Sequence, residues 1–255
     1  MLPSLFLAHG SPMLAIEDNQ YTRFLENLGQ QYHPKAIVIF TAHWEAATLT
    51  ISSLDESYET IYDFNGFPPE LYEIKYPAKG STMLAQQLKD RFAKAGIPAN
   101  LDPKRGLDHG SWTMLSKMYP NADIPVVQVS VHPFLPPETQ YKIGEALKGL
   151  GQEDVLVIGS GVTVHNLRMV NWDANEPEQW AVAFDDWLLN KIQHQDLQSL
   201  FQYQNLAPNA KYAVPRPEHF VPFFIAMGSG NGLDQAKAIY RDYELGTLSY
   251  LCMEF

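Results

Sequence analysis

Three of the eight histidines follow short apolar segments that are typical of buried strands. His9 follows LFLA, His43 follows AIVIFTA, and His165 comes a few residues after DVLVIGS. In an open parallel sheet, ligands bind beyond the carboxyl ends of the strands, so these side chains would meet if their strands were neighbours. Neutral imidazole is the commonest metal ligand, although a structural role is more frequent for any single histidine. As a set, the three residues predict a metal site.

Two further histidines lie in segments that could complete such a site. His219 follows Pro217 and Glu218, and proline suits the first turn of a helix. Adjacent helical residues point about 100° apart, so Glu218 and His219 would not both reach one ion. One would bind and the other would support it, and the spacing leaves open which. His109, in GLDHGSWTML, lies in a loop before a predicted helix, where it would contact a substrate or be held structurally by Asp108.

The other three histidines are not predicted to bind a metal. His33 and His194 lie in polar segments typical of a solvated surface. His132 ends a strand-like segment and is ambiguous, with a place in a cavity wall as one interpretation. A nucleophile of another kind is not indicated, because VIGSGV lacks the first glycine of a nucleophile elbow and Cys252 has no evident activating partner.

Alternation of strand-like and helix-like segments predicts an α/β fold. Apolar, β-branched runs predict buried strands at 4–8, 36–42, 124–131 and 154–160. Amphipathic patterns predict helices at 18–28, 81–96, 136–150 and 179–192, and 245–253 is a candidate last strand. We therefore predict one domain over residues 1–255, with a central, mostly parallel or mixed sheet flanked by helices on both faces.

Composition narrows the class of partner. The chain has 255 residues, 45% of them apolar, and a formal net charge of -11 with no cluster of basic residues. These values favour a sizeable core and argue against binding to nucleic acid or to an anionic membrane surface. A single cysteine, Cys252, excludes an internal disulfide, and no segment reaches the roughly 20 apolar residues of a membrane span. We expect a cytoplasmic protein that is a monomer or a small homo-oligomer.

Seven motifs occur in an order that resembles a known enzyme family. They are LAHGSPM, TAHWE, DFNGFPPELYEIKYPAKGS, LDHGSWTML, MYPNADIPVVQVS, GSGVTVHNLR and PEHFVPFF. As a set they resemble the class III, LigB-type extradiol ring-cleavage dioxygenases, and most strongly the branch that contains the bacterial and plant DOPA 4,5-dioxygenases. The similarity runs from His9 to about Leu248. It implies a single α/β domain with the phosphorylase-like fold of that family.

The resemblance implies one divalent metal ion per chain. His9 and His43 match the two strand-end ligands of the family, and His219 matches a further ligand position. More distant relatives complete the site with a glutamate, so either Glu218 or His219 could occupy the remaining ligand position. His165 in VHNLR matches a histidine that serves either as an additional ligand or as an acid–base catalyst.

The resemblance also implies the reaction. An extradiol dioxygenase inserts both atoms of O2 into a catechol, here a DOPA-like aromatic diol, and opens the ring to a muconic semialdehyde. Triplet oxygen reacts slowly with a singlet ring, and a redox-active Fe(II) with open positions overcomes that barrier. We therefore expect Fe(II) for activity, whereas Zn(II) can occupy the same site without redox chemistry. His109 matches a histidine near the substrate and, with His165, is a candidate catalytic residue that moves protons.

The substrate pocket is predicted to involve an irregular segment. Segments 61–80 and 203–220 are rich in aromatic residues, proline and glycine, and long irregular loops are often functional. Lys75 or Arg168 is a candidate to hold a substrate carboxylate. The first segment supplies side chains that could wall the ring: Tyr62, Phe64, Phe67, Tyr72 and Tyr76.

Two alternatives remain open on the same residues. A zinc-dependent hydrolase would use a metal-bound water and a carboxylate base, either Glu45 or Glu218. A non-enzymatic, metal-binding interaction protein on the same scaffold would have a poorly formed pocket.

Overall fold

The strands form one large sheet and one short ribbon in this computed structural model, which describes residues 1–255. They are β1 (Ser4–Ala8), β2 (Ala36–Glu45), β3 (Leu49–Ser52), β4 (Ala99–Asp102), β5 (Val126–Val131), β6 (Val155–Gly161), β7 (Lys237–Tyr240), β8 (Tyr243–Glu244), β9 (Leu248–Ser249) and β10 (Cys252–Glu254). The sheet has the order β4-β3-β5-β2-β6-β1-β10-β7, and β8 pairs with β9.

The centre of the sheet is parallel and its outer pairings are mixed. Strands β5, β2, β6 and β1 run parallel to one another, and β3 runs parallel to β4. Antiparallel pairing joins β3 to β5, β1 to β10 and β10 to β7. The predicted α/β class with a mixed sheet is confirmed. Because β6 lies between β2 and β1, the carboxyl ends of these three strands meet at one edge.

Nine helices surround the sheet. They are α1 (Gln20–Gln31), α2 (Thr82–Lys94), α3 (His109–Met118), α4 (Pro137–Glu145), α5 (Gln179–Gln193), α6 (Leu197–Phe201), α7 (Tyr203–Leu206), α8 (Ala210–Ala213) and α9 (Val221–Ser229). Short 3₁₀ turns occur at Pro12–Ala15, Pro69–Tyr72, Leu150–Glu153 and Pro217–His219. Every helix is too short or too polar to cross a membrane.

Apolar side chains on the two sides of β2 face two different core layers. Ile37 and Ile39 pack in a cluster with residues of α1 and α3, such as Leu25. Val38 and Phe40 pack in another cluster with residues of α2 and α4. Successive side chains of a strand point to opposite faces, so a continuous apolar run fits a strand that is covered on both sides.

Several predicted boundaries were wrong. The helix expected at 136–150 ends at Glu145, and the strand expected at 245–253 divides into β9 and β10. Segment 203–220 contains α7, α8 and a 3₁₀ turn, whereas it was expected to be irregular. Strand β2 continues through His43 to Glu45 instead of ending at residue 42, with a register shift against β5 after Phe40. Such irregularities redirect side chains near functional sites.

Candidate metal centre

Three imidazoles meet at the edge where β1, β2 and β6 end. His9 directly follows β1, His43 lies near the end of β2, and His219 is the last residue of the turn before α9. Their ligand atoms lie within 4.8 Å of one another, and the Nε2 atoms of His9 and His43 are 3.1 Å apart. Two nitrogens that each bind one ion at about 2.1 Å lie roughly 3.0–3.4 Å apart. The spacing therefore fits two ligands of one metal ion.

The hydrogen bonding of His9 leaves its Nε2 free to bind a metal. The hydroxyl of Ser160, on β6, donates to the carbonyl of Gly110, so its oxygen is available as an acceptor. His9 Nδ1 lies 3.0 Å from that oxygen and donates to it. The proton is then on Nδ1 and the lone pair is on Nε2, which is the form that binds a metal.

Carboxylates occupy the same position behind the other two imidazoles. His219 Nδ1 lies 3.0 Å from Glu218 Oε1, and His43 Nδ1 lies 3.3 Å from Asp63 Oδ2. A carboxylate behind a histidine fixes its tautomer and increases its basicity as a ligand. All three rings are thus arranged with an oxygen at Nδ1, and their Nε2 atoms are available for one ion.

Glu218 faces away from the meeting point of the imidazoles. Its second oxygen pairs with Arg216 Nη1 at 3.0 Å, and Arg216 also forms a two-pronged contact with Glu45. Glu218 does not line the cavity that the histidines share, whereas His219 does. The side chains of these two adjacent residues therefore diverge, as expected.

His165 lies next to the three-histidine cluster. Its ring stacks on that of His219, with 3.8 Å between the centroids and 14° between the planes. Its backbone N–H donates to the carbonyl of Ala213 at 2.9 Å, which ties the segment after β6 to α8. The ligand atoms of His165 group with those of Glu218 and His219 and not with those of His9 and His43.

His109, the first residue of α3, is held by Asp63. Asp63 Oδ1 lies 2.9 Å from His109 Nδ1 and accepts a hydrogen bond from its backbone N–H at 3.0 Å. Orientation by Asp108 is not observed, because that carboxylate accepts hydrogen bonds from Thr41 and Arg105. Sequence analysis missed Asp63. The available signal was a carboxylate inside the aromatic segment 61–80.

Burial sets the charge of the site. It lowers the pKa of His9 and His219 well below the ordinary value for histidine, and the neighbouring imidazoles lower both further. Burial also lowers the pKa of His165, to about 4. Partial burial alone would raise the pKa of Asp63, but its contacts with His109 and His43 outweigh that effect and lower it. At neutral pH His9, His165 and His219 are therefore neutral, the form that metal ions bind, and the carboxylate of Asp63 is ionised.

Two glycines explain why His-Gly occurs twice in the motifs. Gly10 adopts φ +58, a left-handed conformation that glycine accepts without strain, where the chain turns after β1. A Cβ on Gly110 would lie 2.8 Å from both His43 Cδ2 and Thr41 Oγ1. Glycine at 110 therefore lets α3 approach the His43 strand closely enough for His109 to join the site.

The histidines lie at the base of a cavity of about 770 Å³. Its lining includes His9, His43, His109, His165 and His219, together with Phe64, Phe67, Leu167, Val170, Trp172 and Leu248. His33 and His194 are exposed, as predicted, and His132 does not line the cavity.

Only two of the five predicted aromatic side chains line the cavity. These are Phe64 and Phe67, whereas Tyr62 and Tyr72 pack behind Phe64. Tyr76 is buried in the core and donates to the carbonyl of Tyr119.

The predicted carboxylate-binding residues do not reach the cavity. The ammonium of Lys75 lies over the ring of Tyr62, and neither Lys75 nor Arg168 lines the cavity. The bases suggested for a hydrolase, Glu45 and Glu218, are both paired with Arg216 and are also absent from the lining. The well-formed cavity contrasts with the poorly formed pocket that a non-enzymatic binding protein would have.

Comparison with known proteins identifies the family. Residues 3–253 match the family described as the catalytic LigB subunit of aromatic ring-opening dioxygenase. The chain belongs to this family. The resemblance noted in the motifs and the prediction of an extradiol ring-cleavage enzyme are thereby confirmed.

Individual relatives match almost the whole chain. The 4,5-DOPA dioxygenase extradiol of Beta vulgaris is 41% identical, over 99% of this chain and 96% of the relative. The protein of the same name from Escherichia coli K12 is 38% identical, over 99% and 94% of the two chains. The crystal structure of an uncharacterized protein from Escherichia coli K12 aligns with a TM-score of 0.84 at 35% identity, covering 100% of this chain and 99% of the other.

Proposed function

We propose that the protein is a metal-dependent extradiol dioxygenase that inserts both atoms of O2 into a DOPA-like catechol and opens the ring to a muconic semialdehyde. The observation that carries this proposal is the convergence of three imidazoles, each with an oxygen at Nδ1, at the base of an apolar cavity. The names of the relatives in Beta vulgaris and Escherichia coli support a DOPA-like substrate. We assign the whole chain, residues 1–255, to one catalytic domain.

His9, His43 and His219 would hold the ion through Nε2. Glu218 supports His219 in this assignment, because its two oxygens are engaged by His219 Nδ1 and Arg216. When bound, Fe(II) supplies redox chemistry and open positions at which a diol and O2 come together, which Zn(II) cannot do.

His165 and His109 would move protons at the substrate. Both line the cavity beside the three-histidine cluster. His165 is neutral at pH 7 and can accept a proton from a substrate hydroxyl, and its imidazolium then returns that proton to a product oxygen. The Asp63 carboxylate lies 2.9 Å from Nδ1 of His109, which leaves the other ring nitrogen to form a hydrogen bond with the substrate. Phe64 and Phe67 would exclude water from one side of the ring.

The test of this function compares two metals under oxygen control. Protein loaded anaerobically with Fe(II) is expected to consume O2 in a 1:1 ratio with L-DOPA and to form a yellow ring-opened product that carries both atoms of labelled O2. Protein loaded with Zn(II) is expected to do neither. Equal turnover with both metals, or turnover that needs no oxygen, would contradict the dioxygenase assignment.

The role of His165 can be separated from that of the ligands. We expect His165→Ala to keep its metal while kcat falls about 10²–10⁴-fold, the usual contribution of a general acid–base group. His9→Ala should lose the metal itself. Metal content and kcat are measured on the same samples, with His194→Ala as the control because His194 lies on the surface. Loss of metal from His165→Ala would make His165 a ligand.

A further inference from the structure

The lining of the cavity contains one carboxylate and no lysine or arginine. The ionisable side chains of the lining are five histidines, Tyr250 and Glu244. Glu244 is the carboxylate, and the lining has no lysine or arginine to balance it. A substrate that places a carboxylate in this cavity would therefore find no cationic side chain to pair with. A substrate that carries an ammonium group would find one carboxylate.

Glu244 is held close to the histidine cluster. The hydroxyl of Tyr250 donates to Glu244 Oε2 at 2.7 Å. The same hydroxyl lies so near Gly10 that a Cβ at that position would collide with it. Only one hydrogen-bonded tyrosine thus separates the Glu244 carboxylate from the turn that carries His9.

The negative charge continues outside the cavity. Glu244 and Tyr250 also line an adjoining surface groove, together with Glu17, Asp242 and Asp18, of which Asp18 is paired with Arg23. Lys117 donates to the backbone carbonyl of Glu17 and lines neither the groove nor the cavity. Since charges of one sign along a cleft concentrate ligands of the opposite sign, the carboxylates of this groove favour cations near Glu244.

The remaining wall of the cavity is apolar. Leu167, Val170, Trp172 and Leu248 form it, and Trp172 is 78% exposed at the surface. An anionic side chain that leaves water for such a wall loses hydration without gaining a partner. An ammonium beside Glu244 gains a charge-assisted hydrogen bond, which is about twice as strong as a neutral one.

We propose that the cavity selects catechols with a cationic side chain over catechols with an anionic side chain, and that Glu244 determines this preference. The inference rests on the proposed function, because it concerns the substrate of the same site. A zwitterionic side chain, as in DOPA, falls between the two classes because it presents both charges.

Four catechols that differ mainly in side-chain charge test the inference. They are dopamine (cationic), 4-ethylcatechol (neutral), L-DOPA (zwitterionic) and 3-(3,4-dihydroxyphenyl)propionate (anionic). With Fe(II)-loaded protein, kcat/KM for dopamine is expected to exceed that for the propionate at least about tenfold, the factor that corresponds to 1.4 kcal/mol. DOPA should lie between them.

Two charge-neutralising variants assign the effect to a residue. Glu244→Gln is expected to reduce the dopamine/4-ethylcatechol ratio of kcat/KM about tenfold, the loss that one charge-assisted hydrogen bond predicts. Asp234→Asn, which removes an exposed carboxylate that lines neither the cavity nor the groove, should leave that ratio unchanged. Thermal unfolding of both variants checks that they are folded. The comparison of the four catechols on the wild-type protein does not depend on either variant.

The outcomes separate the two proposals. Equal or better turnover of the propionate overturns the charge preference, while turnover of 4-ethylcatechol leaves the dioxygenase assignment intact. An unchanged substrate ratio in folded Glu244→Gln overturns the role of Glu244. No ring opening of any of the four catechols by metal-loaded protein overturns the proposed function, and with it the inference.

Discussion

At the scale of single residues, the groups behind the imidazoles decide what the site can bind. Asp63 is the strongest example, because its two oxygens contact the Nδ1 atoms of both His43 and His109. Its side chain is 24% exposed, so it can hold a negative charge beside the cluster. One carboxylate therefore orients a proposed ligand and a proposed catalytic residue together.

We expect Asp63→Asn to weaken metal binding and turnover together. An amide can accept from one imidazole only and presents no charge, so metal affinity or kcat/KM should fall about 10–100-fold, as is usual for such supporting groups. Metal titration of the apo protein measures the affinity independently of activity. Asp55→Asn is the control, because Asp55 lies nearby in sequence and contacts only Thr82 at the surface. Unchanged metal affinity in Asp63→Asn would contradict the proposed role of Asp63 in positioning the histidines.

At the scale of elements, a buried carboxylate connects α5 to the segment that carries His165. Asp185 is 0% exposed and accepts hydrogen bonds from Thr163 Oγ1 at 2.7 Å, Ser249 Oγ at 2.6 Å and Tyr243 OH at 2.8 Å. Thr163 precedes His165 by two residues. Because three hydroxyls converge on one carboxylate, α5 fixes both the ribbon β8–β9 and the His165 segment.

Asp185→Asn is expected to destabilise the protein and to lower kcat without loss of metal. The amide offers one acceptor oxygen where three donors converge, and each unsatisfied buried group costs about 1–3 kcal/mol. Urea denaturation measures the free energy of unfolding, and kcat is measured on metal-loaded samples. Asp186→Asn removes a 59% exposed partner of Arg241 and should change stability by less than about 1 kcal/mol. Equal stability of the two variants would contradict this account.

At the scale of the whole molecule, the proposed ligands come from distant parts of the chain. His9 follows the first strand, His43 lies near the end of the second, and His219 precedes the last helix. The unfolded chain cannot hold them together, so an ion that binds all three stabilises the folded state by mass action.

We therefore expect metal removal to lower the thermal stability of the whole domain. Free Zn(II) at about 100 times its dissociation constant should stabilise by about 2.7 kcal/mol and raise Tm by roughly 5–10 °C. Thermal unfolding with Zn(II) and with a chelator measures the shift. It should vanish in His9→Ala and persist in His33→Ala, whose histidine is exposed. An equal shift in both variants would place the ion elsewhere.

Sequence alone determined the central strands and the residues at their ends. Apolar runs such as 36–42 predict buried strands because both faces of a parallel sheet are covered, and His9 and His43 were therefore assigned to one edge. The glycines after His9 and His109 are also visible in the sequence, since a turn or a close approach requires them. The ends of the strands did not follow from the sequence, because tertiary contacts extend or end a strand, as in β2.

Only the tertiary structure decided which side chains complete the site. Strand order places β6 between β2 and β1, which brings Ser160 to His9 across 151 positions of sequence. Asp63, from the aromatic segment, contacts His43 and His109, and Glu244 lines the cavity beside Tyr250. Periodicity reports the local environment of a side chain, but hydrogen bonds between distant segments depend on how the layers pack, and that arrangement exists only in the folded chain.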